Sequence, residues 1–202
     1  MTASLSNSLP QAAGHARRPQ RPLHAVPQTQ APPVLRLVPQ PEGLLQVHTA
    51  PFRGSVPSVL SQALRAAGLG SRVLISQFLK GGVDQGPAQA LSLCGRLQWM
   101  RPAMPVCVDA PAAAGAADEQ AHAASIAAVW EHCAELLLAG SVDLMVLDEL
   151  GLALSYGYLD QQQVIATLEQ RPAQMDVILT GPSIPEPLMA MADQVTELRR
   201  GF

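Results

Sequence analysis

A chain of 202 residues, 48% of them hydrophobic, can bury the core of one domain and leave room for an extension. It has no apolar run of about 18 residues or more, which excludes a membrane-spanning helix from the expectations. The net charge of −3 is unevenly divided: residues 1–41 carry Arg17, Arg18, Arg21 and Arg36 and no acid, which leaves −7 for the remainder and argues against nucleic acid as a partner of the folded part.

Residues 1–41 hold eight prolines and show no apolar periodicity, so they are expected to form a disordered, basic tail, with the domain running over 42–202. Within the tail, the apolar patch Pro33 to Pro39 could dock on the body of the domain or on a protein partner. The cysteines Cys94, Cys107 and Cys133 are odd in number and form no C-x-x-C pair. A disulfide framework or zinc site is therefore not expected, and a cytoplasmic location is.

From Leu44 the chain alternates strand and helix. Leu44 to Thr49 reads as a strand. Pro57 to Ala67 reads as a helix with Val59, Leu60, Ala63, Leu64 and Ala67 on its apolar face. Arg72 to Phe78 is nearly all apolar, as a strand covered on both faces should be. A short helix or turn is expected over Gly86 to Gly95, and a strand over Arg96 to Pro102. Pro102 to Ala117 reads as a Pro/Ala-rich loop. A long helix follows, capped by Asp118 and packed through Ile126, Val129, Trp130, Cys133, Leu136 and Leu137. Val142 to Leu150 is a buried strand, with a loop carrying Tyr156 and Tyr158 after it. Asp160 should cap the next helix. Strands at Met175 to Gly181 and Gln194 to Arg200, with a short helix between them, complete the pattern. Repeated β-α-β units give a parallel sheet with helices on both faces.

Ligands of such sheets bind beyond the carboxyl ends of the strands. Four segments should gather there: Thr49 to Ser55, Gln77 to Gly82, Asp148-Glu149, and Thr180 to Pro182. The first has the strand-loop-helix frame of a phosphate-binding loop. A working loop needs glycines to expose backbone N–H groups, a lysine for charge and a Ser or Thr for magnesium. Here Arg53 and Gly54 are followed by Ser55 and Val56 where Lys and Thr belong, and Pro57 removes one more donor. The chain's sole lysine, Lys80, lies beyond the second strand. Asp148 stands where a strand-end acid would order magnesium. An ordinary strand-to-helix turn at the loop and a solvated strand end at Asp148-Glu149 are the alternatives. No metal-binding histidine pair or nucleophile-histidine arrangement stands out.

The segments "RAAGLGSRVLISQFLKG", "VWEHCAELL", "VDLMVLDEL", "DQQQVIATLEQRPAQMDVILTG" and "LMAMADQVTELR" resemble, in order and spacing, those of the ATP:corrinoid adenosyltransferases of the P-loop class. The likeness runs from about Leu44 to Arg199. It implies a P-loop NTPase-like three-layer sandwich. It also implies transfer of the 5′-deoxyadenosyl group of ATP to a reduced corrinoid, with magnesium as cofactor and homodimers common. The family's loop, G-N-G-K-G-K-T-T, falls on Ala50 to Pro57 and agrees only at Gly54. Its acid after the K-G segment falls on Pro87, and its Arg or Asn after T-G falls on Pro182.

The expectation is thus a family member with a degraded ATP site, acting as a binding or regulatory protein. Its loop would offer Thr49, Arg53, Gly54 and Ser55. A residual site would hold Gln77, Lys80, Asp148, Glu149, Thr180 and Gly181, with Asp148 as the magnesium ligand if one remains. The alternatives are an adenosyltransferase that still binds ATP in an atypical way, and an adaptor that works through its tail.

Overall fold

The computed structural model describes residues 41–54, 56–82, 86–110 and 117–199. The expected tail up to residue 40, and Ser55, lie outside the described residues. Seven strands form one sheet: β1 (Leu45–Thr49), β2 (Val73–Gln77), β3 (Leu91–Leu93), β4 (Leu97–Met100), β5 (Leu144–Asp148), β6 (Asp176–Thr180) and β7 (Gln194–Glu197). Their order is β3-β4-β2-β5-β6-β1-β7. Every pairing is parallel except β3 with β4. The helices are α1 (Pro57–Gly68), α2 (Ala117–Leu138), α3 (Leu150–Ser155), α4 (Gln161–Glu169) and α5 (Glu186–Ala190). This is the α/β sandwich expected from the alternation of elements.

The two faces of the sheet are covered differently. Alternate residues of a strand point to opposite faces, and β5 shows the split. Leu144 and Val146 pack with Val59, Ala63 and Ala67 of α1. Met145 and Leu147 pack with α2, α3, α4 and α5 through Ile126, Trp130, Ala153, Val164 and Leu188. The central strands β2 and β5 are buried along their whole length, as two-sided cover requires.

Several local expectations need correction. Asp118 sits inside the first turn of α2 rather than capping it, where its charge still suits the helix dipole. Leu64 of α1 is 47% exposed, because among the described residues α1 is the one helix on that face and its outer edge has nothing to pack on. Leu136 is only half-buried, since it turns away from the sheet while Leu137 faces it. The segment after Gly86 forms a 3-10 turn, Pro87–Gln89, and then the antiparallel edge strand β3. Helix α3 occupies part of the stretch read as loop, with five buried residues in six. Its apolar run had merged with that of β5. Asp160 does cap α4: its Oδ1 accepts from the Gln163 N–H at 2.7 Å.

Candidate functional site

The sheet register builds the site. Gln77 lies opposite Asp148, Asp148 opposite Thr180, and Thr180 opposite His48. Arg101 follows β4 directly, one step beyond the pair Ser76–Met100. A row of polar side chains therefore crosses the carboxyl ends of five neighbouring strands. Gln77, Asp148 and Thr180 are all at most 2% exposed, and buried polar groups must find partners.

They find them in each other. Thr180 Oγ1 donates to Asp148 Oδ1 at 2.6 Å. Gln77 Nε2 and Lys80 Nζ both donate to Asp148 Oδ2 at 2.8 Å. The other end of Gln77 is also engaged: its Oε1 accepts from Trp99 Nε1 at 2.9 Å and from Arg101 Nε at 2.8 Å. Lys80 is 23% exposed at the side chain and Asp148 1%, so this ion pair is half sheltered.

Glu149 is 1% exposed and has a backbone φ of +62°, the left-handed region that a non-glycine residue seldom enters. Its N–H donates to the Thr180 carbonyl, which fixes the turn into α3. Gly181 is needed beside it: a Cβ there would lie 3.1 Å from Glu149 Cα, and φ is +112°. The carboxylate turned inward by this geometry is met by Arg53. Arg53 Nε and Nη2 reach the two oxygens of Glu149 at 2.9 and 3.0 Å, a two-pronged pairing that matches the guanidinium's fork. Arg53 Nη1 reaches Asp109 Oδ1 at 2.6 Å. The bonds to Glu149 raise the arginine's pKa above its usual value, against a smaller opposing effect of burial.

Asp109 belongs to the Pro/Ala-rich segment, which the sequence marks only as loop. Its described part lies beside the end of β2 as a strap. Val108 N–H donates to the Leu79 carbonyl and Gly82 N–H to the Met104 carbonyl. A Cβ on Gly81 would stand 2.0 Å from the Val106 carbonyl oxygen, so only glycine permits this approach. Tyr156 Oη donates to the Asp109 carbonyl at 3.2 Å, which ties the strap to the end of α3. Together these parts line an open cleft of ≈ 360 Å³, bounded by Arg53, Gly54, Lys80, Gly81, Arg101, Cys107, Asp109 and Glu149.

Pro57 has no N–H, and the N–H groups of Val59 and Leu60 both turn to the Val56 carbonyl. Val56 itself is 6% exposed and packs under α1 with Val59 and Ile75. Thr49 stays apart from the row, its carbonyl accepting from the Leu198 N–H.

Of the residues expected at the site, Arg53, Gly54, Lys80 and Glu149 line the cleft, and Gln77, Asp148, Thr180 and Gly181 form or support its floor. Trp99, Arg101, Cys107 and Asp109 were not foreseen. Arg101 was within reach of the strand-end rule that singled out Gln77, because it ends "RLQWM". Asp109 carried no such signal.

The family of ATP:corrinoid adenosyltransferases BtuR/CobO/CobP matches residues 41–201. The chain belongs to this family. It is 31% identical over 157 residues to the corrinoid adenosyltransferase of Escherichia coli strain K12, covering 78% of this chain and 76% of that protein. The corrinoid adenosyltransferase of Pseudomonas aeruginosa is 31% identical over 166 residues, covering 77% and 74%. The corrinoid adenosyltransferase CobA of Salmonella typhimurium is likewise 31% identical over 157 residues, covering 78% and 76%. Asp148 at the end of β5 and Glu149 just after it are met by cations from Lys80 and Arg53. No helix among the described residues is long and apolar enough to cross a membrane.

Proposed function

We propose that this member of the corrinoid adenosyltransferase family has a degraded ATP site and serves as a non-catalytic binding or regulatory protein. One observation carries the reading: the loop that should cradle phosphate instead sends Arg53 into a bidentate pair with the buried Glu149. A guanidinium so engaged has little left to offer a triphosphate. The neighbouring positions agree with it. Val56, at the place of the magnesium hydroxyl, is core. Pro57 and the inward-turned N–H groups of Val59 and Leu60 leave the helix start poor in donors. A corrinoid remains the ligand suggested by family, and a homodimer in the cytoplasm remains the expected state.

A second reading keeps the transferase activity. It is favoured by the presence of Arg53 and Lys80 in one cleft, and it requires Lys80 to yield Asp148 to magnesium. Calorimetric titration with MgATP and with a corrinoid, separately, distinguishes the two. The first reading expects MgATP no tighter than about millimolar, roughly 4 kcal/mol. Micromolar MgATP binding that is lost in Arg53→Ala would establish the second. The adaptor role of residues 1–41 is tested by truncation: a shortened chain that keeps all partner binding ends it.

A further inference from the structure

The two carboxylates that a metal nucleotide would use are already neutralised from within. Asp148 receives Thr180 on one oxygen, and Gln77 and Lys80 on the other. Both oxygens of Glu149 are held by Arg53. Magnesium demands near-octahedral oxygen ligands. An ammonium 2.8 Å from Asp148 Oδ2 stands against it, and the guanidinium of Arg53 stands in the same way against Glu149. As arranged, these residues do not fit magnesium.

The same cleft contains one cation of a different kind. Arg101 is aimed by a single bond from its Nε to Gln77 Oε1, and it forms no ion pair with a carboxylate among the described residues. Gln77 is itself fixed by Trp99 and Asp148, so the guanidinium is anchored at its inner edge. That leaves the fork of Nη donors, the geometry that matches an oxyanion. Lys80 lines the same cleft, with its charge balanced by Asp148. The three carboxylates nearby are already engaged, Asp148 by Lys80 and both Glu149 and Asp109 by Arg53, which leaves Arg101 as the cation of the cleft outside an ion pair among the described residues.

We propose that the cleft binds a compact oxyanion, of the phosphate class, without a divalent metal, and that the Nη edge of Arg101 is its principal donor. This gives the binding role put forward above a ligand class, and rests on that role only in placing no magnesium nucleotide in the cleft.

The test is titration of the full chain with inorganic orthophosphate in EDTA, repeated with magnesium. Saturable binding is expected, unchanged by the metal. Arg101→Gln should weaken it by about tenfold or more, the scale of one charge-assisted contact. Arg101→Lys should recover part of the loss. Arg96→Gln, whose arginine bonds the Gly70 carbonyl at the opposite end of the strands, should bind like the native protein, and thermal melts confirm that each variant is folded. The proposal is overturned by an absence of orthophosphate binding, by equal affinity in Arg101→Gln, or by a dependence on magnesium. Micromolar MgATP binding removes the degraded-site reading and is scored separately from the metal-free result.

Discussion

Two arginine–carboxylate pairs sit at opposite ends of the sheet and share one chemistry. At the amino end, Arg72 forks onto Asp143, with Nη2 at 2.7 Å and Nε at 3.3 Å, and its own N–H adds a third contact. At the carboxyl end, Arg53 forks onto Glu149. The first pair is 51% and 45% exposed at its side chains, the second 25% and 1%. Water can take over the partners of the first when it breaks. Glu149 has no such recourse, and its left-handed backbone holds it facing inward. The same bond is therefore ornament at one end and obligation at the other, because the cost of an unpaired ion is set by its desolvation.

The sharpest way to break that contrast is Arg53→Ala. Leaving the buried carboxylate alone should cost about 3 kcal/mol, at the low end for a broken buried pair because the guanidinium is partly exposed. In a domain of this size that is a fall of roughly 6–12 °C in melting temperature. Arg53→Met with Glu149→Leu should recover much of the loss, and calorimetric melts of the singles and the double give the coupling. If Arg53→Ala melts like the native chain, the two pairs are equivalent after all.

Next in size is the rebuilding of the loop. Phe52→Gly, Ser55→Lys and Val56→Thr together should tighten MgATP binding by about tenfold or more, one charge-assisted contact's worth. The gain comes with some loss of stability, since Val56 is core and a hydroxyl there lacks a partner. Titration calorimetry of the triple variant reads both the affinity and, with a melt, the cost.

The amino-end pair should yield much less. Arg72→Ala is expected to shift the melt slightly, with the shift fading as salt is added. Asp143 also supplies a signature in pH. Hydrogen bonds from Arg72 hold its carboxyl below the ordinary value. Its contribution is thus complete above the unfolded-state pKa, near the usual 3.8, and is lost as pH falls through the lower folded-state value. Asp143→Asn should flatten that limb of the acid-unfolding curve by losing the contribution at neutral pH, a small drop for so exposed a pair, and leave stability below the folded-state pKa little changed.

The smallest effect is a matter of rate. Burial pushes the Cys133 thiol up to about 12, and its Sγ lies 3.0 Å from Ser76 Oγ beneath α2. A thiol reagent should modify exposed Cys94 and Cys107 at once and Cys133 only after unfolding. In Arg72→Ala that order should persist unchanged. In Arg53→Ala, Cys133 should react sooner, in proportion to the lowered stability.

The sequence alone determined the order of strands and helices from Leu44 onward, because period and turn residues are local properties. It also placed Thr49, Gln77, Asp148 and Thr180 at or near the carboxyl ends of strands, and the parallel sheet then brought three of them into one polar row. Thr49 was left out because it borders β7 instead. Helix α3 was hidden because a buried helix and a buried strand read alike when the apolar run is unbroken. Only the tertiary structure decided which charges meet. Arg53 and Glu149 are 96 residues apart, and Arg53 and Asp109 are 56. No spacing rule links them. Their pairing follows from a left-handed turn at Glu149, a glycine at 81 that admits the strap, and a register that turns Gln77 towards Arg101. Each is a close approach between distant segments, and close approach is a property of packing, not of local sequence.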